Sequence, residues 1–275
     1  MMNVLFAANS DVYMGLELAI YTLLTHNKNV NIYVFTMDII LRKSNGSEVR
    51  FYSLNDWERT KLKKIVTYLD PNSNICIIDV TDLYLKNLSG SVNEECAFTP
   101  YASLRLLADI ALSDVDHVLY LDCDTAIQSD ISIMYNDCLY GTDDCYASYA
   151  GGACGGYGEM VSGVFFMKLD AFRKKRYLEQ ARQLYKNNVY KYPDQMALRD
   201  TIKNIGRLPE TYGFIEDLAS CGYTPAILHF TNKLEPKIYS KDYPDIRTYF
   251  YKKFSFLDYV KKGCELLDTL NMKID

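Results

Sequence analysis

The chain has 275 residues, 49% hydrophobic and 24% charged, which is long enough for one large domain or two small ones and excludes wholesale disorder and collagen-like structure. Its formal net charge is -5, from 30 Lys+Arg against 35 Asp+Glu. That lacks the basic excess of a duplex-binding surface and argues against nucleic acid as a partner. No apolar run approaches the ~18 residues that a membrane-spanning helix needs. Met1 to Phe6 has no basic n-region and reads as a first strand, not a signal peptide, so a cytoplasmic location is expected. The eight cysteines form no C-x-x-C pair, which excludes zinc-ribbon and thioredoxin readings and makes reduced thiols the expectation.

In chain order, the first strand is Val4-Leu5-Phe6-Ala7-Ala8, ending in the polar turn Asn9-Ser10-Asp11. Residues 16–24 carry apolar side chains at helical spacing. Asn31 to Phe35 is the second strand, 54–69 an amphipathic helix, and 74–80 the third strand. Thr99-Pro100, as N-cap and first helical residue, opens a helix through Ala111. Val118-Leu119-Tyr120-Leu121 is a fourth strand that stops at Asp122. Strands separated by helices predict parallel βαβ units in an open α/β sheet, whose ligands bind at the carboxyl ends of the strands. The second half is less regular and is read as mixed. Strands are expected at 145–150 and 163–169, one charged surface helix at 170–187, a short helix from Pro193, and an apolar run at Ala226-Ile227-Leu228-His229-Phe230.

The strongest local feature is Leu119-Tyr120-Leu121-Asp122-Cys123-Asp124. An apolar strand delivers two carboxylates, one residue apart, at its carboxyl end. Alternate side chains of an extended chain share a face, so both can address one Mg²⁺ or Mn²⁺ ion, which also holds phosphate oxygens. The bland alternative is an Asp pair capping the next turn. Aspartyl-phosphate phosphatases also place D-x-D after a strand, but here Thr125 follows Asp124 with no spacer, and the motif is mid-chain.

Six segments follow one another along the chain: Asn3-Val4-Leu5-Phe6-Ala7-Ala8, Tyr101-Ala102-Ser103-Leu104-Arg105-Leu106, the Asp122-Cys123-Asp124 strand, Ser162-Gly163-Val164-Phe165-Phe166, Asp194-Gln195 and His229-Phe230. This order resembles that of the family 8 retaining glycosyltransferases, and the chain is similar to the bacterial lipopolysaccharide galactosyl- and glucosyltransferases among them. The resemblance covers roughly residues 3 to 240. It implies a GT-A fold, a Rossmann-like, mostly parallel sheet flanked by helices, over residues 1–245, with a helical tail at 246–275. It also implies a UDP-sugar donor, a glycan or lipid-linked acceptor, and Mn²⁺ held by Asp122, Asp124 and His229. Two carboxylates and an imidazole suit Mn²⁺ better than Mg²⁺, though Mg²⁺ is the alternative. By the same match Ala7, Ala8, Asn9 and Asp11 touch uracil and ribose. Ser103, Cys123, Gly163 and Lys233 join the donor site. Asp194 binds sugar hydroxyls and Gln195 faces the anomeric carbon. Gln195 is a poor nucleophile, so the retention implied by the resemblance favours a front-face path.

Three positions depart from the family pattern. Val161 stands where Asn is common, Ser103 where Arg or Lys is frequent, and Glu235 where a Lys grips the diphosphate. Arg105 lies two positions beyond Ser103, about 200° round an α-helix, and is not expected to substitute from the same direction. These departures keep open a second reading, a nucleotide-sugar-binding protein with degenerate or very weak transferase activity. The Gly-rich stretch from Gly151 to Gly158 opens no helix, which excludes a dinucleotide fingerprint and leaves a flexible loop as the expectation, with a mobile lid over donor or acceptor as a hypothesis. The tail mixes aromatics and lysines, a composition suited to peripheral contact with a membrane surface or to docking on the domain.

Overall fold

The computed structural model describes residues 1–96, 98–149, 158–215 and 225–229. In chain order the elements begin with β1 (Met2–Ala7), α1 (Tyr13–His26), β2 (Val30–Thr36), β3 (Ile39–Arg42), β4 (Glu48–Phe51), α2 (Asp56–Leu69), β5 (Asn74–Asp79) and α3 (Thr81–Asn87). A 3-10 segment, Pro100–Leu107, then runs into α4 (Ala108–Ala111). β6 (His117–Leu121), β7 (Thr125–Ile127), α5 (Ser132–Tyr140), β8 (Cys145–Tyr149) and β9 (Met160–Lys168) follow. The last described elements are α6 (Leu169–Lys175), α7 (Tyr177–Asn187), α8 (Pro193–Thr201), β10 (Ile205–Arg207), β11 (Tyr212–Ile215) and β12 (Ile227–His229).

Seven strands form the central sheet in the order β10-β8-β9-β6-β1-β2-β5. The pairings β1 with β2, β1 with β6, β2 with β5, and β10 with β8 are parallel, while β9 runs antiparallel to both β6 and β8. The sheet is therefore mostly parallel, as expected, and its second half is mixed. Alternation explains the near-continuous apolar runs. Val4, Phe6, Leu119 and Leu121 enter one core with Leu16, Ile20 and Leu23 of α1. Leu5, Ala7, Val118 and Tyr120 enter the other, with Leu104, Phe172 and Leu178. A strand covered on both faces needs apolar residues at every position.

Several local readings change. Thr99 makes no side-chain cap, and the eight residues after it are 3-10 rather than α-helical. The expected single helix at 170–187 is broken at Arg176, which adopts a left-handed φ of 57° and separates α6 from α7. Nor is α7 only a surface helix, since Leu178, Ala181 and Tyr185 are buried. The β3–β4 hairpin follows β2, with Ile39 opposite Phe51, and was not anticipated. Tyr101 bolts it down. Its hydroxyl accepts from the Met37 amide at 3.0 Å and donates to the Met37 carbonyl, and its ring packs on Phe51 at 6.4 Å. Among the described residues no helix is long and apolar enough to cross a membrane. The proposed tail at 246–275, the boundary before it and the glycine-rich loop at 151–157 lie outside the described residues.

Candidate active site

β6 ends at Leu121, and the chain turns at once. The Thr125 hydroxyl donates to the Asp122 carbonyl at 2.8 Å, closing the turn that presents Asp122 and Asp124. β7 then pairs antiparallel with β12, which sets Thr125 opposite His229. This second, three-stranded sheet brings the late histidine to the end of β6. The His229 Nε2 lies 3.2 Å from Asp124 Oδ1 and 3.4 Å from Asp122 Oδ2. One donor atom from each of the three lies within 4.8 Å of the others.

Gly163 is the floor of this cluster. Its carbonyl accepts from the Asp122 amide at 2.9 Å. A Cβ at this position would stand 2.1 Å from His229 Cε1 and 2.6 Å from both His229 Nε2 and Asp122 Oδ2. Only a glycine lets strand β9 pass so close behind the donors. Burial would depress the His229 pKa, but Asp124 and Asp122 outweigh it and push it up to about 10. The site is thus built for positive charge between the two carboxylates. Two carboxylates, one buried imidazole and a space kept clear by Gly163 fit a divalent cation.

Arg105 joins this cluster to Asp194. Its Nη2 donates to Asp122 Oδ1 at 2.8 Å and its Nε lies 3.1 Å from Asp194 Oδ2. Nη1 donates to the Ser162 carbonyl, and Nε is also 2.9 Å from the Ala102 carbonyl. The guanidinium carbon sits 4.0 Å above the Tyr120 ring, whose hydroxyl donates to Asp122 Oδ1 at 2.9 Å. A fully desolvated cation is tolerated only with such a complete set of partners. Burial tends to raise the Asp122 carboxyl, but Arg105 and His229 hold it well below the usual range. Burial wins at Asp194, which is raised even though Arg105 opposes the shift.

Asp194 and Gln195 enter from the first turn of α8, opened by Pro193. The Gln195 Oε1 accepts from the Ser162 amide at 3.2 Å, and the Ser162 hydroxyl lies 3.4 Å from Asp194 Oδ2. Residues 162 and 163 of β9 therefore touch both halves of the site.

The loop after β1 adjoins the carboxylate turn. Cys123 Sγ donates to the Ala7 carbonyl at 3.3 Å, and the Ala8 amide donates to the Phe35 carbonyl at 2.9 Å. Asn9 is the cap of the following 3-10 turn, accepting from the Val12 amide at 3.3 Å, while its amide donates to Asp11 at 2.9 Å. The Ser10 hydroxyl donates to Glu58 at 2.7 Å, tying this loop to the capping box that opens α2.

Ser103 is not in the cluster. Its hydroxyl donates to the Pro100 carbonyl at 2.7 Å, meets Tyr185 and is buried. Arg105 is the polar residue of its segment that enters the site, and, as expected, it leaves in a different direction from Ser103. In a 3-10 helix each residue turns by about 120°, so Arg105 stacks over Ala102 and leaves on a different face from Ser103. Lys233 lies outside the described residues.

No family model matches the chain, and no curated protein matches it. Solved structures do. The galactosyltransferase LgtC, in complex with donor and acceptor sugar analogs, superposes with a TM-score of 0.63 at 16% identity, over 86% of this chain and 89% of that one. The glycosyltransferase GlyE of Streptococcus pneumoniae gives 0.59 at 19% identity, over 92% of this chain and 63% of that one. Mouse xyloside xylosyltransferase 1, in its apo form, gives 0.56 at 13% identity, over 84% and 98%. The chain has the GT-A fold of these glycosyltransferases.

Proposed function

We propose that the chain is a metal-dependent glycosyltransferase that moves a hexose, glucose or galactose, from a UDP-sugar to a hydroxyl of a glycan or lipid-linked acceptor, with retention of configuration. The observation that carries this reading is the convergence of Asp122, Asp124 and His229 within 4.8 Å, at the carboxyl end of a central strand. Such strand ends are where α/β sheets bind ligands. Mn²⁺ is the proposed cation, and when bound it would supply Lewis-acid neutralisation of the departing diphosphate.

The chain's own residues divide the remaining work. Ala7, Ala8, Asn9 and Asp11 bind uracil and ribose, with exposed Asp11 offering a carboxylate to the ribose hydroxyls. Cys123 and Gly163 contribute backbone to the donor site, and Lys233 reaches the diphosphate. Asp194, held by Arg105, accepts from sugar hydroxyls. The Gln195 Oε1 is engaged by the Ser162 amide, which leaves its NH₂ to donate beside the anomeric carbon. Gln195 is not nucleophilic, so the acceptor attacks from the face the diphosphate leaves. A cytoplasmic enzyme of surface-glycan synthesis, touching the membrane through residues 246–275, is the setting this reading gives a lipid-linked acceptor.

The test is turnover of UDP-glucose and UDP-galactose with Mn²⁺, in wild type and Asp124→Ala. Slow donor hydrolysis that disappears in the variant is expected. UDP binding without cleavage of either donor would favour the degenerate, donor-binding alternative. An inverted product would refute the front-face path.

A further inference from the structure

A cleft of about 510 Å³ opens between the β3–β4 hairpin and residues 91–96 and 98–100. Its size falls within the range of small-molecule sites, about 300–1,000 Å³. It lies outside the carboxylate cluster, and none of the donor residues lines it. Leu41 and Phe51 of the hairpin and Phe98 of the loop line it, as do Lys43 and Thr99. Thr99 spends no hydroxyl on a helix cap.

The walls are held in place. The Ser44 amide and hydroxyl, at the hairpin tip, donate to Glu95 across the cleft at 2.6 and 2.9 Å. Glu94 accepts from the Tyr84 hydroxyl at 3.1 Å and the Gly90 amide at 2.9 Å. Tyr101 anchors the hairpin from beneath. A hairpin fixed to the body at base and tip encloses a preformed site.

One wall of the cleft is packed against the segment that carries Asp194 and Gln195. The Phe98 ring packs on Tyr192 at 5.7 Å. Tyr192 directly precedes Pro193, Asp194 and Gln195. Cys96 lies in the same wall. The segment that begins with Thr99 and Pro100 is the one that carries Arg105.

We infer that this cleft binds the acceptor glycan, holding a neutral saccharide by the sugar units remote from the reacting hydroxyl. The inference rests on the transferase reading and adds a subsite to it. Apolar and aromatic side chains cover the C–H faces of a sugar, and nearby hydroxyl and ammonium groups meet its hydroxyls. The charges in the walls balance. Arg42 and Lys43 line it together with Glu94 and Glu95, two charges of each sign. That balance selects an uncharged ligand over a phosphorylated or acidic one. Binding remote units here would hold the acceptor hydroxyl near Asp194 and Gln195, so that binding energy is spent on orientation.

The test uses the full chain, saturated with UDP and Mn²⁺, on an array of neutral di- to tetrasaccharides, with calorimetry of the best binder. Val92 lines the cleft and is exposed, so Val92→Trp fills it without touching the core. Lys43→Ala removes a polar contact at an exposed position. Each variant is expected to weaken saccharide binding by about tenfold or more while UDP binding stays at the wild-type level. No neutral saccharide bound by wild type, or wild-type affinity in both variants, would overturn the inference. Loss of UDP binding by wild type itself would instead count against the transferase reading, and the saccharide affinities are measured separately from it.

Discussion

Arg105 holds Asp122 and Asp194 with one guanidinium, 2.8 Å from the first and 3.1 Å from the second. In the proposed reading Asp122 belongs to the cation cluster and Asp194 to the sugar side, and a single buried side chain fixes the spacing between them. Arg105→Met leaves both carboxylates without their shared partner. Breaking a buried pair in this way costs about 3–5 kcal/mol, read as a lower denaturant midpoint. Arg105→Lys keeps the charge but loses the fork and is expected to fall between the two.

The same change has a pH signature. Burial already raises Asp194, and Arg105 is what opposes it. Without Arg105 the carboxyl rises further and takes up its proton at a higher pH. If Asp194 must be ionised to bind sugar, activity falls on the acid side in wild type, and that limb moves to higher pH in Arg105→Met. The pH profile of kcat/KM checks this, and a limb that stays in place would remove Asp194 from that role.

Gly163→Ala is aimed at the cation. Its Cβ would intrude to 2.1 Å from His229 Cε1, and β9 is locked between β6 and β8. The donors must therefore yield. Overpacking of this kind costs about 1–3 kcal/mol of stability. Mn²⁺ affinity, measured by titration calorimetry, is expected to drop by about tenfold to a hundredfold.

Gln195→Ala separates chemistry from donor capture. The variant loses the bond from the Ser162 amide, worth about 1 kcal/mol. It keeps Asp122, Asp124 and His229 untouched. A kcat loss of about a hundredfold with unchanged UDP affinity is the expected split, and it is read by comparing turnover with UDP titration.

Tyr101→Phe probes the hairpin. Removing the hydroxyl leaves the buried Met37 amide without its acceptor and should cost about 1–3 kcal/mol. Amide exchange is expected to quicken at residues 39–51 while the central sheet keeps its protection.

Much of this site was legible in the sequence, for identifiable reasons. The turn at Asp122 and Asp124 follows directly from an apolar run that stops at two acids. Asp194 and Gln195 sit where Pro193 opens a helix. His229 was placed only by resemblance, because β7 and β12 are three residues long and their pairing joins distant parts of the chain. Such a pairing leaves no periodic trace. Arg105 leaves in a different direction from Ser103, as expected, but its hold on both acids depends on Asp122 and Asp194 arriving from distant parts of the chain, which spacing within its own segment does not record. The break at Arg176 carries no glycine signal, since an arginine occupies the left-handed position. The hairpin strands at 39–42 and 48–51 are four residues each, too short to show a period, and β4 alternates charged and apolar residues while β3 is a brief apolar run.

The central claim is that the Asp122, Asp124 and His229 cluster binds a nucleotide sugar through a divalent cation. Titrating UDP into the protein with and without Mn²⁺, for wild type and His229→Ala, tests it most directly. The account predicts UDP binding that requires Mn²⁺ in wild type and is lost in His229→Ala. UDP binding of equal strength without Mn²⁺, or unchanged in the variant, would contradict it.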